Sequence, residues 1–205
     1  MALRLFAVAL LDGLHGESPA PRTQLVAVRD VAAVVEEAPY LLAMPDEPLL
    51  ERHRTVVHEV FARSTAVLPV PAGTLFRERA ALQQWLELHY VALSDALAFV
   101  EDRAEARVHV TRADGRAEDQ DAGTDIAEAA AECFRALRRQ SVATLPLRRE
   151  HMTGIAISSA FLVDRALWKE FASAADAERD RHAGLDVSVT GPWPPWDFVR
   201  ITFGG

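Results

Sequence analysis

His53 and His58, with Arg52 and Arg54 beside the first, are the side chains of this 205-residue chain whose chemistry could serve a reaction. An imidazole near neutral pH can move a proton or hold a metal, and paired guanidinium groups can clamp an anion. The spacing works against that use. Both histidines fall in a segment of helical periodicity, where five residues turn the chain about 140° round the axis, so the rings do not converge on one ion. His53 then reads as a partly buried, hydrogen-bonding residue. Other reactive groups are as isolated. Asp114, Glu118, Asp119 and Asp121 miss the calcium-loop spacing and read as a solvated loop. Gly73 precedes a helix without the Walker spacing or its lysine. Cys133 is the one cysteine, and Ile126, Ala129, Ala130, Phe134 and Leu137 around it mark a buried, inert thiol. No nucleophile–base set, metal spacing or phosphate loop assembles from these residues, so no cofactor and no small-molecule substrate is expected.

The most distinctive stretch is Thr190-Gly191-Pro192-Trp193-Pro194-Pro195-Trp196-Asp197-Phe198-Val199, with two of the four tryptophans and three of the eleven prolines. It lies between two strand-like runs, 185–189 and 198–203. Proline fixes φ and gives no donor to a sheet ladder, so the middle is expected to be a stiffened connection or a sheet edge. Two uses compete. The indoles pack on the chain's own core, as large aromatics commonly do. Alternatively Trp193, Pro194, Pro195 and Trp196, with Phe76 near the Gly73 turn, form a rigid ridge that another protein grips.

The elements that must position these groups can be read in order. An apolar run at 3–11 has the composition of a strand covered on both faces. A loop at 13–22 leads to strands at 23–28 and 31–36, split by a hairpin at Arg29-Asp30. After an irregular segment at 38–48 comes a helix over 48–64, with Leu49, His53, Val56 and Val60 on one stripe and Leu50, Val57 and Phe61 beside it. A strand at 66–71 and a turn at 72–76 precede one long helix over 78–100, carrying Leu82, Trp85, Leu86, His89, Leu93, Ala96 and Leu97 at helical spacing. The charged junction 101–105 marks a boundary, giving domains 1–103 and 104–205.

The second half reads as a strand at 106–111, a helix capped by Asp125, strands at 142–147 and 153–163, and a helix capped by Asp164 with Leu167, Trp168, Phe171 and Ala175 on its packing stripe. Gly184 closes that helix, a strand follows at 185–189, and a last strand comes after the Pro-Trp stretch. The order β-α-β-β-α-β is the split-βαβ pattern, so the expected class is α+β: two small domains, each a ferredoxin-like antiparallel sheet, modified in the first, with helices packed on one face.

Half of the residues are hydrophobic and a quarter charged, which suits a soluble globular protein. A net charge of −8 argues against nucleic acid or anionic lipid as a partner. Asp12 ends the first apolar run too early for a signal peptide, and no run approaches the roughly 20 apolar residues that span a bilayer. A lone cysteine fits a reducing cytoplasm.

At these same residues the sequence resembles the GvpF/GvpL family of gas vesicle accessory proteins. Thr190-Gly-Pro-Trp-Pro-Pro-Trp-Asp-Phe-Val199 is similar to that family's T-G-P-W-P-P-Y-x-F-V signature, with Trp196 in place of its common tyrosine. Leu68-Pro-Val-Pro-Ala-Gly-Thr-Leu-Phe76 resembles its L-P-V-R-F-G-T-x-F stretch. Glu51-Arg-His-Arg54 with Val56 and Val57, and Ala160-Phe-Leu-Val163 with Phe171 after it, are similar to two more, all in the family's order. The resemblance implies modified ferredoxin-like folds and no enzyme activity. It further implies a place in the cytoplasm and at the gas vesicle, aiding assembly or forming a minor component. The implied partners are the small hydrophobic shell protein GvpA and other accessory proteins. A helper of that kind would hold apolar surface transiently, through the Pro-Trp ridge or by adding a strand at a sheet edge. The competing class is a small-ligand-binding or enzymatic ferredoxin-like domain using His53, His58 and the Arg52/Arg54 pair.

Overall fold

The computed structural model describes residues 1–40, 44–112, 123–147, 155–182, 184–199 and 201. They form two units: Met1–Asp102 with the segment from Pro194 onward, and Arg103–Trp193. Each sheet is antiparallel.

In the first unit the apolar run becomes β1 (Ala2–Leu10), buried at every residue but Arg4 and Leu10, as burial on both faces requires. A single helical turn, α1 (Leu11–Leu14), takes the chain into the hairpin of β2 (Gln24–Val28) and β3 (Val31–Ala38). Arg29 turns that hairpin with φ 56°, its guanidinium 4.4 Å over the Tyr90 ring, while the Tyr90 hydroxyl donates to Asp30 at 2.6 Å. Helix α2 (Glu47–Arg63) starts one residue before Pro48, because the Asp46 carboxylate caps it by accepting from the Leu49 N–H.

Then β4 (Val67–Pro69) and β5 (Leu75–Phe76) run along one side of β1 as an interrupted edge strand. Bonds from Val70 N–H to Phe6 O and from Leu5 N–H to Thr74 O bracket the interruption. Pro69 and Pro71 suit this edge because they have no N–H to offer a ladder, and Gly73 turns the bend at φ 87°. The strand order is β2-β3-β1-β4, with β5 also on β1.

The long helix expected over 78–100 is two helices, α3 (Arg79–Leu88) and α4 (Tyr90–Val100), broken at His89. The His89 ring Nδ1–H donates to its own preceding-turn carbonyl, Trp85 O, at 2.8 Å. Leu82, Leu86, Leu93, Leu97 and Val100 pack on Leu3, Leu5, Val8, Ala33, Val35 and Leu68. The other face of the sheet, with Phe6, Ala32 and Val34, is also fully buried, and α2 meets it through His53 on Phe6. Helices on both faces are what modify the ferredoxin-like plan here.

The second unit is the split-βαβ order: β6 (Arg103–Arg112), α5 (Gly123–Arg138), β7 (Ala143–Pro146), β8 (Ile155–Asp164), α6 (Trp168–Arg181) and β9 (Leu185–Trp193). Its sheet runs β7-β8-β6-β9. Counting the first unit's strands in the same way gives the same spatial order, with α1 and a loop standing where α5 makes the first crossover here. Ala106, Val108, Val110, Phe161, Val163, Leu185 and Val187 face Cys133, Phe134, Leu137, Phe171 and Ala175 in one core. The alternate residues carry polar groups such as His109 and Ser158, whose Nδ1 and Oγ lie 2.9 Å apart.

Several local expectations change. Helix α5 begins at Gly123, ahead of the expected cap Asp125. Asp164 makes no side-chain cap; it pairs with Arg103 at 3.3 Å, and a 3-10 turn, Arg165–Leu167, precedes α6. Leu167 is exposed rather than packed. Residues 196–198 form a turn, and 199 and 201 are not in a strand, so the described part of 198–203 does not make the final strand that was expected. The acidic loop 114–122 and the turn 148–151 lie outside the described residues.

Candidate functional site

The Pro-Trp stretch is divided between the two units. Its first four residues continue β9 rather than turning away from it. Pairing of β9 with β6 shifts by one residue between Arg107↔Thr190 and Glu105↔Trp193, so Gly191 and Pro192 form a β-bulge. A bulge is where a sheet tolerates proline, and the Gly191–Pro192 peptide is cis. Gly191 sits at φ 132°; a Cβ there would stand 2.6 Å from Trp168 Cη2 and 2.8 Å from the Glu105 carbonyl oxygen. Only glycine fits that approach. Trp193 is half-buried at the strand end, and its Nε1–H donates to Thr190 Oγ1 at 3.2 Å. Glu105, opposite, is wholly buried with the partly exposed Arg107 Nε 2.7 Å from its Oε1, an ion pair that the sequence does not signal.

From Pro194 the chain belongs to the first unit. Pro194 and Pro195 are buried, and Trp196 is half-buried. Trp196 Nα–H bonds to Pro194 O at 2.7 Å and Phe198 Nα–H to Pro195 O at 3.3 Å, so the tail turns on local bonds. The Trp196 ring lies 6.0 Å from that of His53, which also lies 5.4 Å from that of Phe6.

His53, 3% exposed, donates Nε2–H to Val70 O at 2.9 Å. Burial first, and the nearby Arg4 charge in lesser degree, push its pKa below the usual imidazole value, against the raising effect of the Val70 bond. The ring is thus held neutral, and it joins α2, the interrupted edge strand and the Pro-Trp tail at one point.

The remaining expected site residue, Phe76, is half-buried and packs its ring 5.7 Å from that of Trp85, which stacks at 4.9 Å on His89. Beside them a cavity of about 330 Å³ is lined by Trp85, His89, Ala92, Leu93, Ala96, Phe198, Val199 and Ile201. It is mainly apolar, and periodicity could not show it, because its two walls are far apart in sequence.

Of the residues proposed for a reaction, Arg52 and His53 share the Phe6 ring, at 5.9 Å and 5.4 Å from its centroid. Arg52 bonds Pro21 O at 2.5 Å and Glu36 at 3.3 Å, and Glu36 also holds Arg4 at 2.8 Å. Arg54 pairs in solvent with Glu47 and Glu51, each at 2.7 Å. His58 is half-buried, and burial lowers its pKa. Among the described residues no group of three or more His, Cys, Asp or Glu side chains is placed to hold a metal ion. Nor is any described helix long and apolar enough to cross a membrane.

The family described as "Gas vesicle synthesis protein GvpL/GvpF" matches residues 6–125 and 111–200, nearly the whole chain. This chain belongs to the GvpL/GvpF family. Gas vesicle protein F2 of Halobacterium salinarum is 28% identical over 197 residues, covering 95% of this chain and 86% of the relative. Gas vesicle protein F1 of the same organism is 24% identical over 197 residues, covering 93% and 87%. Crystal structures of GvpF from Anabaena sp. PCC7120 and from Microcystis aeruginosa share the fold. Their TM-scores are 0.77 and 0.74 at 13% and 12% identity, each match covering 98% of this chain and 99% of the other. Within this GvpL/GvpF chain, three of the four motifs that carried the resemblance meet at His53: its own helix motif, Val70 of the edge-strand motif and Trp196 of the Pro-Trp motif.

Proposed function

We propose that this protein is a cytoplasmic gas vesicle accessory protein that binds the small hydrophobic shell protein GvpA, and other accessory proteins, during vesicle assembly. Membership of the GvpL/GvpF family along nearly the whole chain is the observation that carries this reading. Shell subunits carry apolar surface that would aggregate before the wall closes, and a folded partner that covers it shifts the subunit toward its soluble state. In this reading the work is binding rather than catalysis.

The gripping groups are Trp193 and Trp196, each half-buried and so still presenting ring surface, with Phe76 as a further candidate. Pro194 and Pro195, both buried, each hold φ fixed at their own position ahead of Trp196. Stiff aromatic anchors lose little entropy on binding. The test is capture of the shell protein by the purified chain and by Trp193→Ala and Trp196→Ala variants that melt cooperatively. Loss of capture in a folded variant supports the grip. Full capture by both folded variants removes it and moves the binding face elsewhere.

A further inference from the structure

The solvent side of the α3–α4 pair has a character that the Pro-Trp corner does not explain. Among the described residues, Leu88 at 79% and Val91 at 71% exposure are the most exposed large apolar side chains apart from Met1 and Met44. They stand three residues apart, one on each side of the His89 break, and Ala92 beside them is exposed too. Ala92 also lines the apolar cavity with Trp85, Leu93 and Ala96. An exposed apolar ridge next to a cavity that accepts one large side chain is the form of a docking site.

The charge pattern says what docks. Between Arg79 and Arg103 the chain holds Glu87, Asp95, Glu101 and Asp102 and no lysine or arginine. All four carboxylates are exposed. Arg29, on the neighbouring hairpin, is engaged over the Tyr90 ring next to Asp30. A second copy of this chain would bring acid onto acid, so self-association through this face is disfavoured. A ridge on a helix pair beside a groove suits a helix better than an added strand, which needs an open sheet edge.

We infer that the α3–α4 face, centred on Leu88, Val91 and Ala92, docks an amphipathic helix of a partner protein. That helix would set its apolar stripe on the ridge, place one large side chain in the cavity, and flank the stripe with lysine or arginine. The inference does not depend on which protein supplies the helix, although its cavity shares Phe198 and Val199 with the Pro-Trp stretch and Trp85 with Phe76.

The test titrates the full-length chain with a synthetic leucine–lysine amphipathic helix of about 18 residues, long enough to cover the ridge, and with its leucine–glutamate counterpart. Sedimentation of the chain alone is run in parallel. The Leu88→Ser/Val91→Ser variant changes exposed positions only, and circular dichroism checks its fold. The lysine peptide is expected to bind the wild type, the double variant to bind it about tenfold or more weakly, and the glutamate peptide to bind at least about tenfold more weakly than the lysine peptide. Equal binding by wild type and the folded variant, equal binding of the two peptides, or no binding of the lysine peptide would overturn the inference. So would a wild-type dimer that the double variant dissociates, since the face would then be a seam between copies.

Discussion

The His53 and Trp196 rings lie 6.0 Å apart, centroid to centroid, and this contact seats the chain's tail on the helix that carries His53. Residues 143 positions apart in sequence thereby share one buried spot with Phe6 and the Val70 carbonyl. Aromatic pairs contribute about 0.5–1.5 kcal/mol beyond the area they bury. A double-mutant cycle of His53→Ala and Trp196→Ala, read by urea melts, is therefore expected to show a coupling of about that size. Additive losses would mean that the tail is not held through this pair.

Stability should fall on mild acidification. The folded-state pKa of His53 lies below its ordinary 6.5, chiefly because burial penalises the charged ring. Between the two values the unfolded chain binds a proton that the folded chain does not, so stability rises with pH there. The contribution is complete above about pH 6.5 and is lost as the pH drops below it. Burial moves His58 and His109 in the same direction. Melting temperature is expected to be level near pH 7.5 and lower near pH 5.5, with a smaller drop in His53→Gln. An unchanged drop in that variant would assign the effect to other groups.

Gly191→Ala should be the most damaging small substitution in the second unit. The new Cβ meets the Glu105 carbonyl and the Trp168 ring at under 3 Å, in a backbone conformation that alanine resists. The backbone strain alone costs about 1–3 kcal/mol, and the carbonyl cannot move without breaking the β6–β9 ladder. Thermal melts check this; a loss well below about 1 kcal/mol would show that the bulge relaxes freely.

Cys133 should be silent to thiol reagents in the native state. It is wholly buried, and burial pushes its pKa up to about 11, with the Glu178 charge adding to the effect. A thiol so placed is neither accessible nor ionised. One equivalent of an aromatic disulfide reagent is expected to react in guanidinium at about pH 8 and almost none without it. Rapid native labelling would mean that α5 opens often.

The second unit was legible because its periodicities are clean. Leu185 and Val187 alternate with Asp186 and Ser188, and Cys133, Phe134 and Leu137 make one helical stripe, so the β-α-β-β-α-β order along the chain could be read. The break at His89 was hidden, since no glycine or proline marks it and the apolar spacing runs through it unchanged; only the backbone of His89 itself, at φ −101° and ψ 8°, leaves the helical values. The Pro-Trp stretch was located but its conformation was not, because one extra residue in a ladder decides between turn and bulge. The cavity under Val199 and Ile201 and the contact of Trp196 on His53 arise from packing between distant segments. What the sequence did mark, through three short motifs, was the set of segments that meet at His53.

The proposed function has this GvpL/GvpF chain keep a hydrophobic shell subunit from aggregating. Co-expression of the two proteins, followed by sedimentation and affinity capture of the soluble fraction, tests it most directly. The shell protein, insoluble when made alone, is expected to remain in the supernatant and to elute with this chain. A shell protein that pellets equally with and without this chain, and is absent from the eluate, would contradict it.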